Sequence, residues 1–173
     1  MKEQTYDAAP AAAEPRPYTA VLTTSCGVVT LTLAGDRAPK TVGSFAFLAG
    51  KGYFDGTFCH RMTEGDSLTV LQCGDPTGSG SGGPGYRFPD ENLAGASYPR
   101  GTVAMANAGP GTNGSQFFLV IKDSQLPPAY TPFGTIDEAG LKVLDTVLAG
   151  GIADGAPDGP PAKKVYLEKV AVT

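Results

Sequence analysis

Residues 101–120 read GTVAMANAGPGTNGSQFFLV, and no other part of the chain carries as much structural information. The two ends of this stretch, residues 102–106 and 116–121, are rich in β-branched and aromatic residues and predict strands. The segment between them, NAGPGTNGS, consists of turn formers and predicts an irregular loop. Free backbone groups of such a loop, next to the adjacent Phe117 and Phe118, favour an extended peptide as ligand over a small metabolite.

Length and charge limit the possible functions. A chain of 173 residues fits one domain with a sizeable core. Thirteen Lys and Arg stand against 17 Asp and Glu, so we expect neither nucleic acid nor a membrane surface as partner. No apolar run approaches the length of a membrane span and no leader pattern opens the chain, which predicts a cytoplasmic protein. Because no heptads or large apolar face occur, we expect a monomer.

The three cysteines, Cys26, Cys59 and Cys73, are odd in number and widely spaced, and each lies beside strand-like sequence. This pattern favours buried free thiols in a reducing compartment over a disulfide or a zinc site. No cluster of side chains has the spacing of metal ligands, so we expect neither a metal nor a cofactor.

Composition divides the chain into two parts. Residues 1–17 contain Ala, Pro and mixed charge without apolar periodicity and predict a disordered tail. Residues 18–173 predict one domain that begins with a β-hairpin over residues 18–33. Helices are expected from Pro39 to Gly50 and after Asp137 as N-cap, and a closing strand is expected over residues 164–173. Strands dominate at hairpin spacing, which favours an antiparallel barrel or a sandwich.

The glycine-rich stretch GSGSGG at residues 78–83 follows a strand and matches the GxGxxG pattern of dinucleotide-binding proteins. However, Pro84 and Gly85 stand where the pattern requires a helix to begin, and no acidic residue follows at a spacing of about 20 residues. We therefore interpret the stretch as a long surface loop and not as a nucleotide site.

Several motifs resemble cyclophilin-type peptidyl-prolyl cis/trans isomerases. MANAGPGTNGSQFFLV is similar to the family signature, and APKTVGSF at residues 38–45 is similar to a family helix. FCHRM and VLQCGD resemble two further motifs, with a longer gap between Arg61 and Gln72 than is usual. The resemblance covers roughly residues 18–173 and implies a mainly β fold, a closed eight-stranded antiparallel barrel capped by two helices.

Motif matching also implies a site. Arg61 matches the catalytic arginine of the family, and Gln72 matches its partner beside the substrate carbonyl. Phe118 matches the floor of a proline pocket, and Ala106 and Asn107 match residues that hold the peptide backbone. Five further residues match supporting positions of the family. His60 belongs with the catalytic pair, and Met105, Gln116, Leu126 and Tyr130 belong to the groove.

Simpler interpretations of single residues exist. A lone histidine in a strand is more often a hydrogen-bonded structural residue than a catalyst, and His60 and Arg61 should face opposite sides of an alternating strand. A phenylalanine such as Phe118 can serve ordinary core packing, an interpretation that fits Phe117 better. Leu126 and Tyr130 stand where many members of the family carry Trp and His. Because Leu126 lacks an indole N–H, we expect weak binding of cyclosporin.

The implied chemistry is rotation about the peptide bond that precedes proline, in X–Pro peptides and unfolded proteins. Its barrier of roughly 18–20 kcal/mol is lost amide resonance, and no nucleophile or proton relay is needed to lower it. An arginine that donates a hydrogen bond to the proline nitrogen would stabilise the twisted state. The alternative is a module that binds proline peptides in the same groove without catalysis.

Overall fold

The structure is a computed structural model that describes residues 4–173. Ten strands and two helices follow each other along the chain, with one short 3-10 turn at Ala153–Gly155. The elements are β1 (Pro17–Thr24), β2 (Gly27–Ala34), α1 (Pro39–Gly50), β3 (Thr57–Phe58), β4 (Arg61–Thr63), β5 (Thr69–Cys73), β6 (Thr102–Met105), β7 (Phe117–Lys122), β8 (Pro132–Ile136), α2 (Glu138–Ala149), β9 (Asp158–Gly159) and β10 (Tyr166–Val172).

All strands pair antiparallel in one sheet of order β3-β10-β1-β2-β8-β6-β7-β5-β4-β9. Strands β3 and β4 are separated along the chain only by Cys59 and His60, yet they lie near opposite ends of this order. The sheet therefore curls until its two edges approach each other.

The prediction of a mainly β, antiparallel barrel-like fold with two helices is confirmed. The details of strand number and closure differ. Ten strands are paired instead of eight, and two of them, β3 and β9, have two residues each. Among residues 4–173 no ladder joins the two end strands, so the curled sheet is not closed by hydrogen bonds.

The interior of the curled sheet is a single apolar core. Alternate residues of β1 and β2, such as Leu22 and Leu31, are fully buried there. Aromatic rings fill the centre, where the ring of Phe45 lies 5.0 Å from that of Phe54 and 5.3 Å from that of Phe117. A second, smaller cluster lies outside the sheet, on β5, β6 and β7, and its buried members are Val70, Tyr98, Ala104, Phe118 and Val120.

Both predicted helices are present with their expected starts. Pro39 occupies the first turn of α1, where its missing N–H costs little. The side chain of Asp137 caps α2 by accepting a hydrogen bond from the Gly140 N–H at 2.7 Å. The N-terminus of α1 is capped from a distance, because the Glu91 carboxylate accepts the backbone N–H groups of Lys40 and Thr41. In the described part of the chain, neither 12-residue helix is long and apolar enough to cross a membrane.

Residues 4–16 form neither helix nor strand, but they lie against the domain. The backbone N–H of Tyr6 donates to the Pro84 carbonyl at 2.8 Å, and the Tyr6 ring packs edge-on against Phe47. Gly43 on α1 permits this path, since a Cβ at that position would collide with the Ala11 carbonyl. Residues 4–16 of the segment predicted as a disordered tail thus contact the domain in the structure, and residues 1–3 of that segment lie outside the described residues.

The prediction of three free thiols is wrong. Cys59 and Cys73 form a disulfide, and only Cys26 of the three is free. The partners are 14 residues apart in sequence, but the pairing of β4 with β5 returns the chain and brings their Cα atoms to 4.0 Å. The spacing of the two cysteines along the sequence did not indicate this contact, because the length of the loop between β4 and β5 could not be inferred from the sequence pattern.

Candidate active site

A lateral row of residues crosses four neighbouring strands on the outside of the sheet. Arg61 on β4 is paired with Gln72 on β5, Gln72 with Phe118 on β7, and Phe118 with Ala104 on β6. Residues directly opposite each other in a ladder share one face of the sheet. We call Arg61, Gln72, Phe118 and Ala104 the outer row. Two strand spacings of about 4.8 Å place the backbones of Arg61 and Phe118 about 10 Å apart.

Three members of the outer row, Arg61, Gln72 and Phe118, line a cavity of about 150 Å³, which we call the small cavity. Apolar side chains make most of its wall, and the Arg61 and Gln72 side chains stand at its polar edge. Seven of the ten residues chosen from the sequence line it, together with Leu68 and Val70: Arg61, Gln72, Ala106, Asn107, Phe118, Leu126 and Tyr130.

Strand alternation gives Phe117 and Phe118 different surroundings. Phe117 is fully buried inside the barrel, whereas Phe118 faces outward and packs against the rings of Tyr98 and Tyr130. The Tyr130 ring meets Phe118 nearly edge-on, with ring centres 5.7 Å apart. Core packing is therefore the role of Phe117, and Phe118 forms the floor of the small cavity.

The Arg61 guanidinium is held on two sides. Its Nε and Nη2 atoms donate to the two carboxylate oxygens of Asp158, both at 2.8 Å, and its Nη1 donates to Oε1 of Gln72 at 3.1 Å. The hydrogen bond with Asp158, more than any other effect, raises the pKa of Arg61. The same hydrogen bond lowers the pKa of Asp158, so the pair stays ionised below the usual pKa of an aspartate.

The hydrogen bonds continue from Gln72 along the groove. The Gln72 amide donates to Oε1 of Gln116 at 2.9 Å, and the Gln116 amide donates to the carbonyls of Gly80 and Gly82, both at 3.0 Å. Each glutamine accepts with its oxygen and donates with its nitrogen, so the direction of the chain fixes the orientation of both amides. The chain links Arg61 to the glycine-rich loop.

A second cavity of about 600 Å³, the large cavity, adjoins the small one. The two share Gln72, Ala106 and Asn107, and the large cavity is further bounded by Gln116, by the loop over residues 80–87 and by Thr5. The two cavities form one continuous groove, long enough for a peptide segment. The glycine-rich stretch that resembled a nucleotide motif is one wall of this groove.

Asp75 anchors the glycine-rich loop from below. Its buried carboxylate accepts hydrogen bonds from the backbone and hydroxyl of Thr77 and from the N–H groups of Gly80 and Gly82. Burial would raise the pKa of Asp75, but these hydrogen bonds, led by those of Thr77, lower it overall. The anchoring is therefore complete above the usual pKa of an aspartate and is lost as the pH falls through the lowered value.

Ala106 and Asn107 stand between the two cavities. The Ala106 N–H already donates to the Gln116 carbonyl at 3.0 Å, so a bound peptide would have to use the Ala106 carbonyl. The Asn107 side chain donates to the Ala129 carbonyl at 2.8 Å and accepts the Gly109 N–H at 3.2 Å. The Asn107 side chain therefore joins the loop over residues 107–115 to the loop that carries Leu126 and Tyr130.

Three of the residues chosen from the sequence do not line the small cavity: Gln116, Met105 and His60. Gln116 lies in the large cavity. Met105 is paired with Phe117 and buried in the interior, because strand alternation turns it away from the outward Ala104. Met105 was predicted to lie in the groove, but the structure places it in the barrel interior.

His60 fits neither of its two interpretations simply. Both ring nitrogens are buried and lack a hydrogen-bond partner among the described residues, so it is not a hydrogen-bonded structural histidine. Burial lowers the pKa of His60, an effect that Asp75 opposes and Arg61 reinforces, and the ring is therefore neutral near pH 7. Its Nε2 faces the loop at Gly80, where a Cβ would lie 3.7 Å away.

Four residues of the site escaped sequence analysis. Leu68 and Val70 follow the insertion between Arg61 and Gln72, which left their alignment open. Tyr98 supports the rim from below, since its hydroxyl donates to the Tyr130 carbonyl at 2.7 Å and accepts the Tyr130 N–H at 3.0 Å. Asp158 lies 97 residues after Arg61 in a stretch that looked like plain loop. No motif pointed to Tyr98 or Asp158.

The described residues contain no group of three or more His, Cys, Asp or Glu side chains that could hold a metal ion. The polar groups that line the two cavities are amides, hydroxyls, backbone groups and two guanidinium groups, that of Arg61 in the small cavity and that of Arg87 in the large one. Such a set can donate and accept hydrogen bonds along an extended peptide, and in the small cavity the Arg61 cation stands beside an apolar floor.

Comparison with known proteins agrees with this geometry. Residues 19–172 match the family model described as cyclophilin type peptidyl-prolyl cis-trans isomerase/CLD. Two relatives, each named probable peptidyl-prolyl cis-trans isomerase B, come from Mycobacterium leprae and Mycobacterium tuberculosis and are 50% and 48% identical over 169 residues. These alignments cover 91% of this chain but 57% and 55% of the relatives, so the chain spans little more than half their length.

Solved structures give the same result for the fold. A Cryptosporidium parvum cyclophilin type peptidyl-prolyl cis-trans isomerase superposes with a TM-score of 0.78 at 28% identity, over 91% of this chain and 98% of that one. A structure of that isomerase in the presence of the dipeptide Ala-Pro gives a TM-score of 0.77 at 29% identity, over 90% and 98% of the two chains. Taken together with the outer row and its cavity, these matches show that the chain belongs to the family of cyclophilin-type peptidyl-prolyl cis-trans isomerases.

Proposed function

We propose that this domain catalyses cis/trans isomerisation of peptide bonds that precede proline, in peptide segments and unfolded proteins. The observation that carries the proposal is the Arg61 guanidinium at the edge of a small apolar cavity whose floor is Phe118. The relative whose structure was determined in the presence of Ala-Pro supports the same class of ligand.

In this mechanism the proline ring occupies the small cavity over Phe118. As the bond twists, resonance is lost and the proline nitrogen regains its lone pair. Arg61 has five N–H groups, three of which are engaged by Asp158 and Gln72. The remaining two can donate to the substrate, and a donor aimed at the nitrogen stabilises the twisted state more than either planar state. No covalent bond forms or breaks.

The rest of the groove would hold the peptide. The Ala106 carbonyl and the Asn107 backbone accept and donate along the chain, and neighbouring substrate residues enter the large cavity beside Gln116. Gln72 steadies Arg61 and faces the substrate carbonyl. His60, half-buried behind the glycine-rich loop with a neutral ring, supports that wall without transferring a proton.

The test is exchange spectroscopy by NMR on a short peptide that contains one X–Pro bond. The wild-type protein is expected to accelerate cis/trans exchange, and Arg61→Ala is expected to lose a factor on the order of 10²–10³. The matched control is Arg100→Ala, because Arg100 forms a similar two-point pair with Asp145 at 2.7 and 2.8 Å and lines neither cavity. Its activity should equal that of the wild type.

The same experiment separates the enzyme from a binding module. A module would shift the peptide signals on titration and leave the exchange rate between the two isomers unchanged. Loss of acceleration in both Arg61→Ala and Arg100→Ala would also contradict the assignment, because it would point to general damage and not to the groove.

We also propose that the domain works as a monomer in a compartment where disulfides persist. The cytoplasmic location was expected from the sequence pattern, and three free thiols in a reducing compartment would have agreed with it; the Cys59–Cys73 disulfide removes that second argument. Alkylation of the native protein before cell lysis, followed by mass measurement without reduction, should label one thiol, that of Cys26. Labelling of three thiols would restore the cytoplasmic assignment.

Sedimentation in dilute buffer tests the oligomeric state, and we expect the mass of one chain.

A further inference from the structure

Asp158 is the residue that holds the Arg61 side chain most completely. A free arginine side chain samples many rotamers, and the Arg61 side chain is 39% exposed, so burial alone does not fix it. Two hydrogen bonds to one carboxylate define the plane of the guanidinium, and the bond from Nη1 to Gln72 fixes its rotation in that plane. The remaining N–H groups then have fixed directions.

Asp158 is itself placed by rigid backbone. It pairs across the ladder with Thr63, which lies two residues after Arg61 and therefore on the same face of β4. Prolines precede and closely follow it, at positions 157, 160 and 161, and they restrict the backbone dihedrals on both sides. The carbonyls of the first two prolines accept hydrogen bonds from the N–H groups of Glu64 and Ala153.

We propose that Asp158 is a positioning residue, which orients the Arg61 guanidinium so that its free N–H groups point into the small cavity. This inference rests on the proposed isomerase function and extends it to a residue outside the cavity, since Asp158 does not line it. Misplacement of a donor by about 1 Å can cost a factor of 10² in rate, so orientation of the guanidinium matters as much as its presence.

The alternative is an ordinary surface ion pair that only stabilises the fold. Asp158 is half-exposed, and exposed pairs contribute little to stability. Asp145 provides a matched control, because it also accepts two hydrogen bonds from one guanidinium, those of Arg100 Nη1 and Nη2, and the exposure of both side chains is nearly the same as in the Arg61–Asp158 pair. The two arginines differ in the acceptor of their third hydrogen bond. Arg61 donates to the Gln72 side chain at the edge of the small cavity, whereas Arg100 donates to the Ile121 carbonyl.

Three substitutions test the role: Asp158→Ala, Asp158→Asn and Asp158→Glu. Asparagine matches aspartate in size but offers one acceptor, and its amide nitrogen would meet a guanidinium N–H. Glutamate keeps the two-point carboxylate on a longer stem. We expect Asp158→Ala and Asp158→Asn to lower the catalysed exchange rate at saturating peptide about 10-fold or more. The peptide dissociation constant should change little, and Asp158→Glu should lose less than Asp158→Asn.

A spectroscopic readout follows the orientation directly. The ¹⁵N–¹H signal of the Arg61 Nε group should shift and broaden in Asp158→Asn, because the hydrogen bond that immobilises it is weakened. For the control, the ¹⁵N–¹H signals of the Arg100 Nη groups, which donate to Asp145, should broaden in Asp145→Asn, but that variant should keep the wild-type exchange rate. Melting temperatures of all variants should stay close to that of the wild type.

The outcomes separate this inference from the proposed function. If the wild type accelerates exchange and Arg61→Ala does not, but both Asp158→Ala and Asp158→Asn keep the wild-type rate at saturation, the positioning role is wrong and the isomerase remains. An increase in rate in Asp158→Ala would overturn it as well, because it would mean that the carboxylate only weakens Arg61. If the wild type itself fails to accelerate exchange, the proposed function fails.

Discussion

The barrel interior and the outer row are opposite faces of the same strands, and Phe117 and Phe118 show how differently the two faces use one amino acid. Inside, the Phe117 ring fits between Phe45 and Phe54, with ring centres 5.3 and 5.8 Å away. Outside, Phe118 is supported by two tyrosines and leaves a cavity of about 150 Å³ above itself. The interior is filled for stability, whereas the outer face keeps an unfilled apolar space beside a cation.

The largest expected difference between the faces is in stability. Phe117→Ala should lower the free energy of unfolding by about 3–5 kcal/mol, because it leaves a cavity among rings that cannot move in to fill it. Denaturant unfolding with linear extrapolation measures this change. Phe118→Ala should cost clearly less, since its ring borders a space that is already open. Equal losses in the two variants would contradict the division into a filled and an unfilled face.

The disulfide belongs to the interior face, directly behind the polar edge of the outer row. Cys59 and Cys73 are both buried, and their bond closes a loop of about 15 residues, for which chain entropy gives about 3 kcal/mol. The double variant with alanine at both positions should lose stability of this order, while Cys26→Ala should lose little. The folded double variant should keep its exchange activity, because Asp158 and Gln72 still hold Arg61. A parallel loss of activity and stability would show that the two faces are not independent.

Phe118→Ala tests the outer face itself. An aromatic floor that buries a proline ring contributes about 1.5–3 kcal/mol, so kcat/KM for an X–Pro peptide should fall roughly 10–100-fold. Phe117→Leu is the matched control, because it changes the neighbouring position conservatively and on the interior side. If Phe117→Leu lost as much activity as Phe118→Ala, the cavity floor would not be a separate functional element.

The smallest expected effect concerns the rim of the small cavity at Leu126. This residue offers no donor, so we expect the wild type to bind cyclosporin weakly. Leu126→Trp adds an indole N–H and should improve the dissociation constant on the order of 10-fold, the worth of about one hydrogen bond. Leu126→Phe adds a ring without a donor and should improve it less. Nanomolar binding by the wild type would contradict the expectation.

Sequence analysis anticipated those features that depend on local order along the chain. The alternation of β7 separated Phe117 from Phe118, and the motifs placed Arg61, Gln72 and Phe118 in one groove, where the ladder register unites them. The starts of both helices followed from Pro39 and Asp137. In each case the residues that carry the sequence pattern lie within a few positions, or on neighbouring strands, of the structural feature that they predict.

Features that depend on distant segments were missed. Asp158 reaches Arg61 across 97 residues through a two-residue strand too short to leave a periodic pattern. The Cys59–Cys73 pair depends on the register of β4 with β5, and that register follows an insertion of unknown shape. Met105 was assigned with its motif as a block, although alternation within β6 turns it inward. Contacts of residues 4–16 depend on Gly43, whose role appears only when another segment lies against it.

The cap on α1 has a consequence for the order of events during synthesis. The acceptor for the first backbone N–H groups of this helix is Glu91, which is translated about 50 residues after Thr41. On the ribosome, α1 therefore emerges with its leading amides unsatisfied by the protein, and the next three strands, β3, β4 and β5, are made before its end is secured. A nascent chain arrested before codon 91 should hold this helix frayed, whereas one arrested well beyond that codon can complete it.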